Sequence, residues 1–254
     1  MKKAWIIALN TFNEALKKKT FYILLVVALV VIGASRFFSF LAAEDELKMI
    51  KDVSFSTIQF FGALIAIFTA LAAVSGEIEK RTIYTLLSKP ITRNNFIMGK
   101  LIGQSLIILL NVLLMSIFFV GLLYFKKSPP DVQTFKTIFL IYVSLVLIGS
   151  ITLAVATFAT DAFNLIFSFF LYIVGHLITY GKQLLERTEN FVLKGLGEML
   201  YTIIPNYENF NIKDKVVVGV NVSWKYVGQT TAYGLIYITI AVLIGIYFFN
   251  KREV

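Results

Sequence analysis

GEIEKRTIYTLLSKPITRNNFIMGK, residues 76–100, is a long polar interruption in a chain that is otherwise close to continuous hydrocarbon. It carries Glu77, Glu79, Lys80, Arg81, Lys89, Arg93 and Lys100, then gives way to Leu101 and Ile102. Its first half reads as a short amphipathic helix. Glu77 and Glu79 fall in the first turn, where carboxylates suit the positive end of the dipole. Ile78, Thr82, Ile83, Leu86 and Leu87 follow helical spacing and form an apolar stripe. Pro90 stops that helix or opens the next, because it lacks an N–H and fixes its own φ. A polar helix, break and helix hung between two apolar runs reads as a docking surface rather than a connector.

The sequence on either side explains why the interruption matters. The chain has 254 residues, of which 58% are hydrophobic and 15% charged, and its mean hydropathy is +0.79. Soluble domains carry about a quarter charged residues, so the composition is that of an integral membrane protein. The net charge of +9 is then no sign of nucleic-acid binding. The Lys and Arg side chains cluster beside apolar runs, where they orient a chain in the bilayer and meet anionic lipid. With no Cys there is no disulfide framework, thiolate metal site or cysteine nucleophile. One His and five Met offer little to a soft metal, and no metal site is expected.

Residues 1–19 hold Trp5, Leu9, Phe12 and Leu16 on one face, with Lys3, Asn10, Glu14 and Lys17 on the other. That pattern predicts an amphipathic helix lying in the headgroup plane rather than a cleaved signal peptide. Six spans follow at about 20–41, 55–75, 100–125, 137–159, 162–181 and 229–250, each near the roughly 20 residues a bilayer requires. The amino-terminal segment and the 76–100 loop carry five Lys or Arg each. This bias puts both termini and that loop on the cytoplasmic side of the cell membrane. Asp161 is expected to cap the fifth span. The outer segment, 182–228, is too long for a connection. Val192, Leu196, Met199, Leu200 and Ile203 predict an interfacial or re-entrant helix ending near Pro205, then a turn at PNYENFN, then a strand-like or extended piece over 216–224. Inside the spans, Asn111 and Asn164 are candidates for a substrate path or for helix–helix hydrogen bonding. Arg36 is expected to snorkel, and His176 to be interfacial or bonded to a neighbouring helix. Gly99 and Gly103 form a GxxxG pair, a packing signal.

Transport needs a gradient or a fuel. The apolar cores of the spans hold no Asp or Glu of the kind a gradient-driven carrier uses. The phosphate-cradling Gly-x-x-x-x-Gly-Lys-Ser/Thr pattern is absent too. Any energy has to come through a partner. The loop EIEKRTIYTLLSKPITRNNFIMGK resembles the signature of type 2 ABC exporter permeases, here as Glu77, Glu79, Arg81, Thr82, Leu86, Leu87, Pro90, Arg93 and Lys100. The amino-terminal interfacial helix, the six spans and the large segment before span six are similar to the same family, so the likeness covers 1–254 as one permease domain. The branch of multi-copper-enzyme maturation permeases, including the permease of the nitrous-oxide reductase maturation transporter, resembles it further at Pro205–Phe210.

The resemblance implies an all-α membrane protein that is not itself an enzyme. It implies a homodimer with two ATP-binding-cassette subunits on the cytoplasmic face, ATP and Mg being bound by those subunits. The loop over 76–99 would supply the coupling helix, with Glu77, Glu79, Arg81, Ile83, Leu86, Leu87, Pro90 and Arg93 forming the contact: an apolar ridge for burial and charges at the rim for register. Two other readings compete. One is an intramembrane metalloprotease, but Glu77 and Glu79 are not adjacent and one His cannot complete a zinc site. The other is a gradient-driven carrier or structural membrane subunit without an ATPase.

Overall fold

The structure is a computed structural model that describes residues 2–41, 46–79, 92–186 and 191–251. Its elements are α1 (Lys2–Leu16), α2 (Lys19–Leu41), α3 (Glu46–Glu79), α4 (Arg93–Phe125), α5 (Val132–Ala156), α6 (Asp161–Glu186), α7 (Phe191–Ile203), a 3₁₀ turn (Tyr207–Phe210), α8 (Lys213–Val217) and α9 (Trp224–Lys251). No strand occurs among the described residues. Six helices, α2 to α6 and α9, are long and apolar enough to cross a membrane, one at each predicted span. The protein is an all-α integral membrane protein.

Burial sorts the spans into centre and periphery. In α5, 72% of the most apolar window is buried, and in α3 67%, against 28% in α2 and in α6. The central α5 carries Ser144, Ser150 and Thr152, which bond back to the Ile141, Leu147 and Ile148 carbonyls of their own helix. In a medium without water this is how a hydroxyl is satisfied at little cost. Large apolar side chains face outward on several spans, among them Val30, Ile117, Ile166, Leu243 and Ile236, which suits lipid contact.

Three expectations change here. Glu77 and Glu79 do not open a new helix. They lie in the last turn of α3, whose 34 residues extend for about 51 Å, well past the hydrocarbon core. Nothing between Val74 and Glu79 breaks the helix except Gly76, which costs only about 1 kcal/mol. The strand-like piece over 216–224 is also absent. Val216 and Val217 finish α8, Gly219 adopts φ +82° to turn the chain, and Trp224 already begins α9. A run of valines favours a strand only where another strand can pair with it. A helix does occur where one was predicted before Pro205, as α7, and stops at Ile203. Asp161 is the first helical residue of α6 rather than its cap, and the Thr160 carbonyl accepts from the Asn164 amide.

Candidate functional site

The interruption at 76–100 is described only at its two ends. Arg81, Ile83, Leu86, Leu87 and Pro90 lie outside the described residues. Its amino-terminal end is the last turn of α3. Its carboxy-terminal end is the start of α4, where the Thr92 hydroxyl accepts from the Asn95 amide and caps the helix. Arg93, the first helical residue, does not face away from the protein. Its Nη1 donates to the Phe249 and Asn250 carbonyls at 2.9 Å each, and its guanidinium lies 5.9 Å from the Phe249 ring centroid. Those are carbonyls in the last described turn of α9, and a cation at a helix carboxy-terminus is favoured by the dipole. Phe96 stacks on Phe249 at 5.2 Å. The start of α4 is thereby clamped to the end of α9.

On its other side the start of α4 carries α1. A Cβ built at Gly99 would stand 2.8 Å from the Ala4 carbonyl oxygen, and one at Gly103 would stand 2.5 Å from that of Ala8. The GxxxG pair thus brings two helix backbones into direct contact. The α1 face that meets it is Ala4, Ile7, Ala8, Thr11 and Ala15, all buried. This small-residue face was not recognised from the sequence, although Ala4, Ala8 and Thr11 at helical spacing could have signalled it. The stripe that was recognised divides: Trp5 and Leu9 are exposed, while Phe12 and Leu16 pack partly on the core. Lys100 is fully buried between the two helices, 3.9 Å from Glu14 and 5.4 Å from the Phe96 ring. The loop therefore ends in a frame of α1, α4 and α9.

The two asparagines differ. Asn164 is fully buried in a closed network: its Nδ2 donates to the Thr152 carbonyl at 2.9 Å and its Oδ1 accepts from Ser168 at 3.1 Å, while Thr152 donates to Ser168 at 2.9 Å. It joins α5 to α6. Asn111 is equally buried in α4, but neither of its side-chain polar atoms has a partner among the described residues. Gln104 lies two turns earlier on the same face. Its Nε2 donates to the Ala66 carbonyl of α3 at 3.1 Å through a gap that Gly149 leaves open, and its Oε1 has no partner among the described residues.

At the opposite end, residues 205–212 fold back into the bundle as a cap. Tyr207, Phe210 and Ile212 are buried. The Asn206 side chain accepts from the Glu208 amide, its own amide donates to the Tyr233 hydroxyl at 2.8 Å, and the Asn209 carbonyl accepts from Tyr226 at 2.8 Å. Gly175 makes room, since a Cβ there would collide with the Tyr207 ring and the Pro205 carbonyl. His176 stacks on Tyr207 with rings 13° apart. Its Nδ1 donates to the Tyr172 carbonyl at 2.9 Å, so its Nε2 accepts from the Gln59 amide at 2.6 Å. His176 is thus a helix-bonding residue linking α6 to α3. Burial pushes the Tyr207 phenol well above its usual range, with the neighbouring Tyr172 and Tyr233 adding to it.

Six spans, an amphipathic helix backed onto the third of them and a charged loop between the second and third define a multi-pass membrane protein. The chain matches the ABC-2 family transporter protein family over residues 5–254, and it belongs to that family. No curated protein matches it. Members of that family are the membrane-spanning, non-enzymatic part of an ABC transporter and work with an ATP-binding-cassette partner.

Proposed function

We propose that this chain is the permease half of an ATP-driven exporter, coupled to its motor through the loop after α3. The observation that carries the reading is the frame at the loop's carboxy-terminal end. Arg93 ties α4 to α9 and Gly99–Gly103 tie it to α1, so a displacement of the loop would move three helices together. Glu77, Glu79 and Arg81 would meet the rim of a groove on the ATPase, and Ile83, Leu86 and Leu87 would fill it, with Pro90 setting the break. Both termini and the loop then face the cytoplasm, as the Lys and Arg distribution requires. Two copies of the chain would pair with two ATPase subunits, which bind the ATP and Mg.

The dimer contact and path would run along α3 and α6. Phe163, Ile166, Phe170, Ile173, Leu177 and Tyr180 of α6 are all exposed, and their spacing of three and four residues is the narrow seam by which one helix meets another. Asn111 and Asn164 would contribute the polar groups nearest that path. A likeness to the multi-copper-enzyme maturation branch rests on Pro205–Phe210, and copper is not the cargo we propose. A chain with no Cys and one His is a poor conduit for a soft ion, whereas a lipid, peptide or drug suits its apolar surfaces.

The test is nucleotide hydrolysis by the assembled complex in lipid, with Glu79→Lys and Leu86→Asp as variants. Both are expected to insert normally and to abolish the stimulation of ATPase activity by the permease. Full stimulation in both variants would remove the loop from the docking role.

A further inference from the structure

A cleft of about 330 Å³ opens beside the hinge between α1 and α2, at the bundle end that carries the loop. Its apolar lining includes Phe21 and Leu24 of α2 and Phe68 of α3, with Thr69 among the lining residues. Its rim bears one charge of each sign: Lys18 from the hinge and Asp161 from the start of α6. Both rim residues are exposed. Among the described residues, neither side chain is engaged in an ion pair, so the two charges share a cleft without neutralising each other.

The geometry sets what can occupy it. Lys18 directly precedes α2, and Leu24 lies six positions further on, about 9 Å along the helix axis. Charged side chains at Lys18 and Asp161 with apolar ones at Phe21, Leu24 and Phe68 suit a polar headgroup joined to its first acyl carbons. A volume at the lower end of the range for small-molecule sites, about 300–1,000 Å³, holds a headgroup and the carbons next to it, while the tails stay in the bilayer. A purely apolar occupant would leave two charges facing nothing. A singly charged headgroup would satisfy one and oppose the other. An ammonium and a phosphate a few bonds apart answer both, and a primary ammonium can also donate hydrogen bonds to a carboxylate, which a quaternary one cannot.

We propose that this cleft is a binding site for a phospholipid bearing both a phosphate and a primary amine, its phosphate on Lys18, its ammonium on Asp161 and its first acyl carbons against Phe21, Leu24 and Phe68. The site needs no motor and no transport, so it stands or falls independently of the coupling loop.

The experiment is native mass spectrometry of the delipidated full-length chain titrated with phosphatidylethanolamine, phosphatidylcholine and phosphatidylglycerol of identical acyl chains. Phosphatidylethanolamine is expected to bind about fivefold more tightly than either of the others, the value of one partly exposed charged contact. Asp161→Asn should erase its advantage over phosphatidylcholine, and Lys18→Gln should weaken all three lipids. Phe68→Trp should fill the cleft and weaken all three as well. Unchanged thermal unfolding in the two rim variants separates these effects from loss of fold. Free phosphoethanolamine at the same concentration is expected not to compete. Equal affinity for the three lipids, a preference that survives Asp161→Asn, or full competition by the free headgroup would each overturn the proposal.

Discussion

The two ends of the bundle are fastened by different chemistry. At the loop end, α1 and α4 meet backbone to backbone at Gly99 and Gly103, and one side chain, Arg93, grips the final carbonyls of α9. At the opposite end, side chains do the fastening. Tyr233 and Tyr226 hold the 205–212 cap, Lys213 bonds Ser56 of α3 at 2.8 Å, and buried Lys136 reaches the Val222 carbonyl at 2.6 Å under the Trp224 ring. Backbone contact makes several helices one stiff body, which suits a part that is pushed. A cap held by side-chain bonds can detach while every helix stays intact, which suits a part that opens. Packed elements of this kind switch between discrete arrangements rather than deforming continuously.

The largest effect should come from the cap. Tyr207 has no exposed surface, so Tyr207→Ala is expected to cost about 3–5 kcal/mol, read as a loss of thermal stability in detergent. Its hydroxyl has no partner among the described residues, so Tyr207→Phe should be neutral or slightly stabilising. If both substitutions cost the same, the cap is held by something other than the buried ring. Gly103→Leu attacks the other end. Forcing a side chain between α1 and α4 is expected to cost about 1–3 kcal/mol and to speed tryptic cleavage at Lys17–Lys19, as α1 lifts away. Unchanged cleavage would mean that the loop end does not rely on close backbone packing.

That contrast also marks what the sequence made legible. Hydropathy alone located six spans, because a lipid-crossing helix has to be apolar over its whole length. The positions of α1 and α7 were readable from amphipathic spacing. The partners were not. Trp5 and Leu9 announce the lipid-facing side of α1 by their size, but Ala4 and Ala8, which make its protein contact, carry almost no signal in a chain so rich in small apolar residues. The valines at 216–222 pointed to a strand because β-propensity reports side-chain preference and is blind to whether a partner strand exists. Arg93 sat in a loop motif and read as a rim charge, yet its clamp on Phe249 depends on a contact across 156 residues of sequence. Asn111 and Asn164 looked alike, since no local feature distinguishes a partnered amide from an unpartnered one.

The asparagines give the next prediction. Asn164→Leu removes both bonds of a closed network and should cost about 1 kcal/mol, in the range of measured interhelical bonds in membranes. Asn111→Leu removes an amide with no partner among the described residues and should be close to neutral for stability. A fall in transport by the reconstituted complex with Asn111→Leu, at unchanged thermal stability, would assign it to the path. Equal loss of stability in both would dissolve the distinction.

The smallest effect is a pH dependence at the cap end, where two carboxylates outside the spans shift in opposite directions. Burial alone would raise Asp131, but the bonds it accepts from the Thr134 hydroxyl and amide, with Lys51 nearby, outweigh that and hold it below its usual value. A depressed carboxylate contributes stability that is present above its unfolded pKa, about 3.9, and is lost as pH falls through the folded one. Glu208 goes the other way. Burial raises it and Asp214 adds repulsion, against opposing contributions from Asn211 and Lys213. Its contribution is present below the unfolded pKa, about 4.3, and is lost as pH rises through the folded value. Both groups are substantially solvated, so each effect should be only a few tenths of a kcal/mol. Asp131→Asn keeps the cap acceptor and should flatten the loss of stability on acidification, whereas Glu208→Gln should steepen it. Thermal unfolding between pH 3 and 7 reads both, and a shift of the same sign in the two variants would mean that the cap and the start of α5 titrate as one unit.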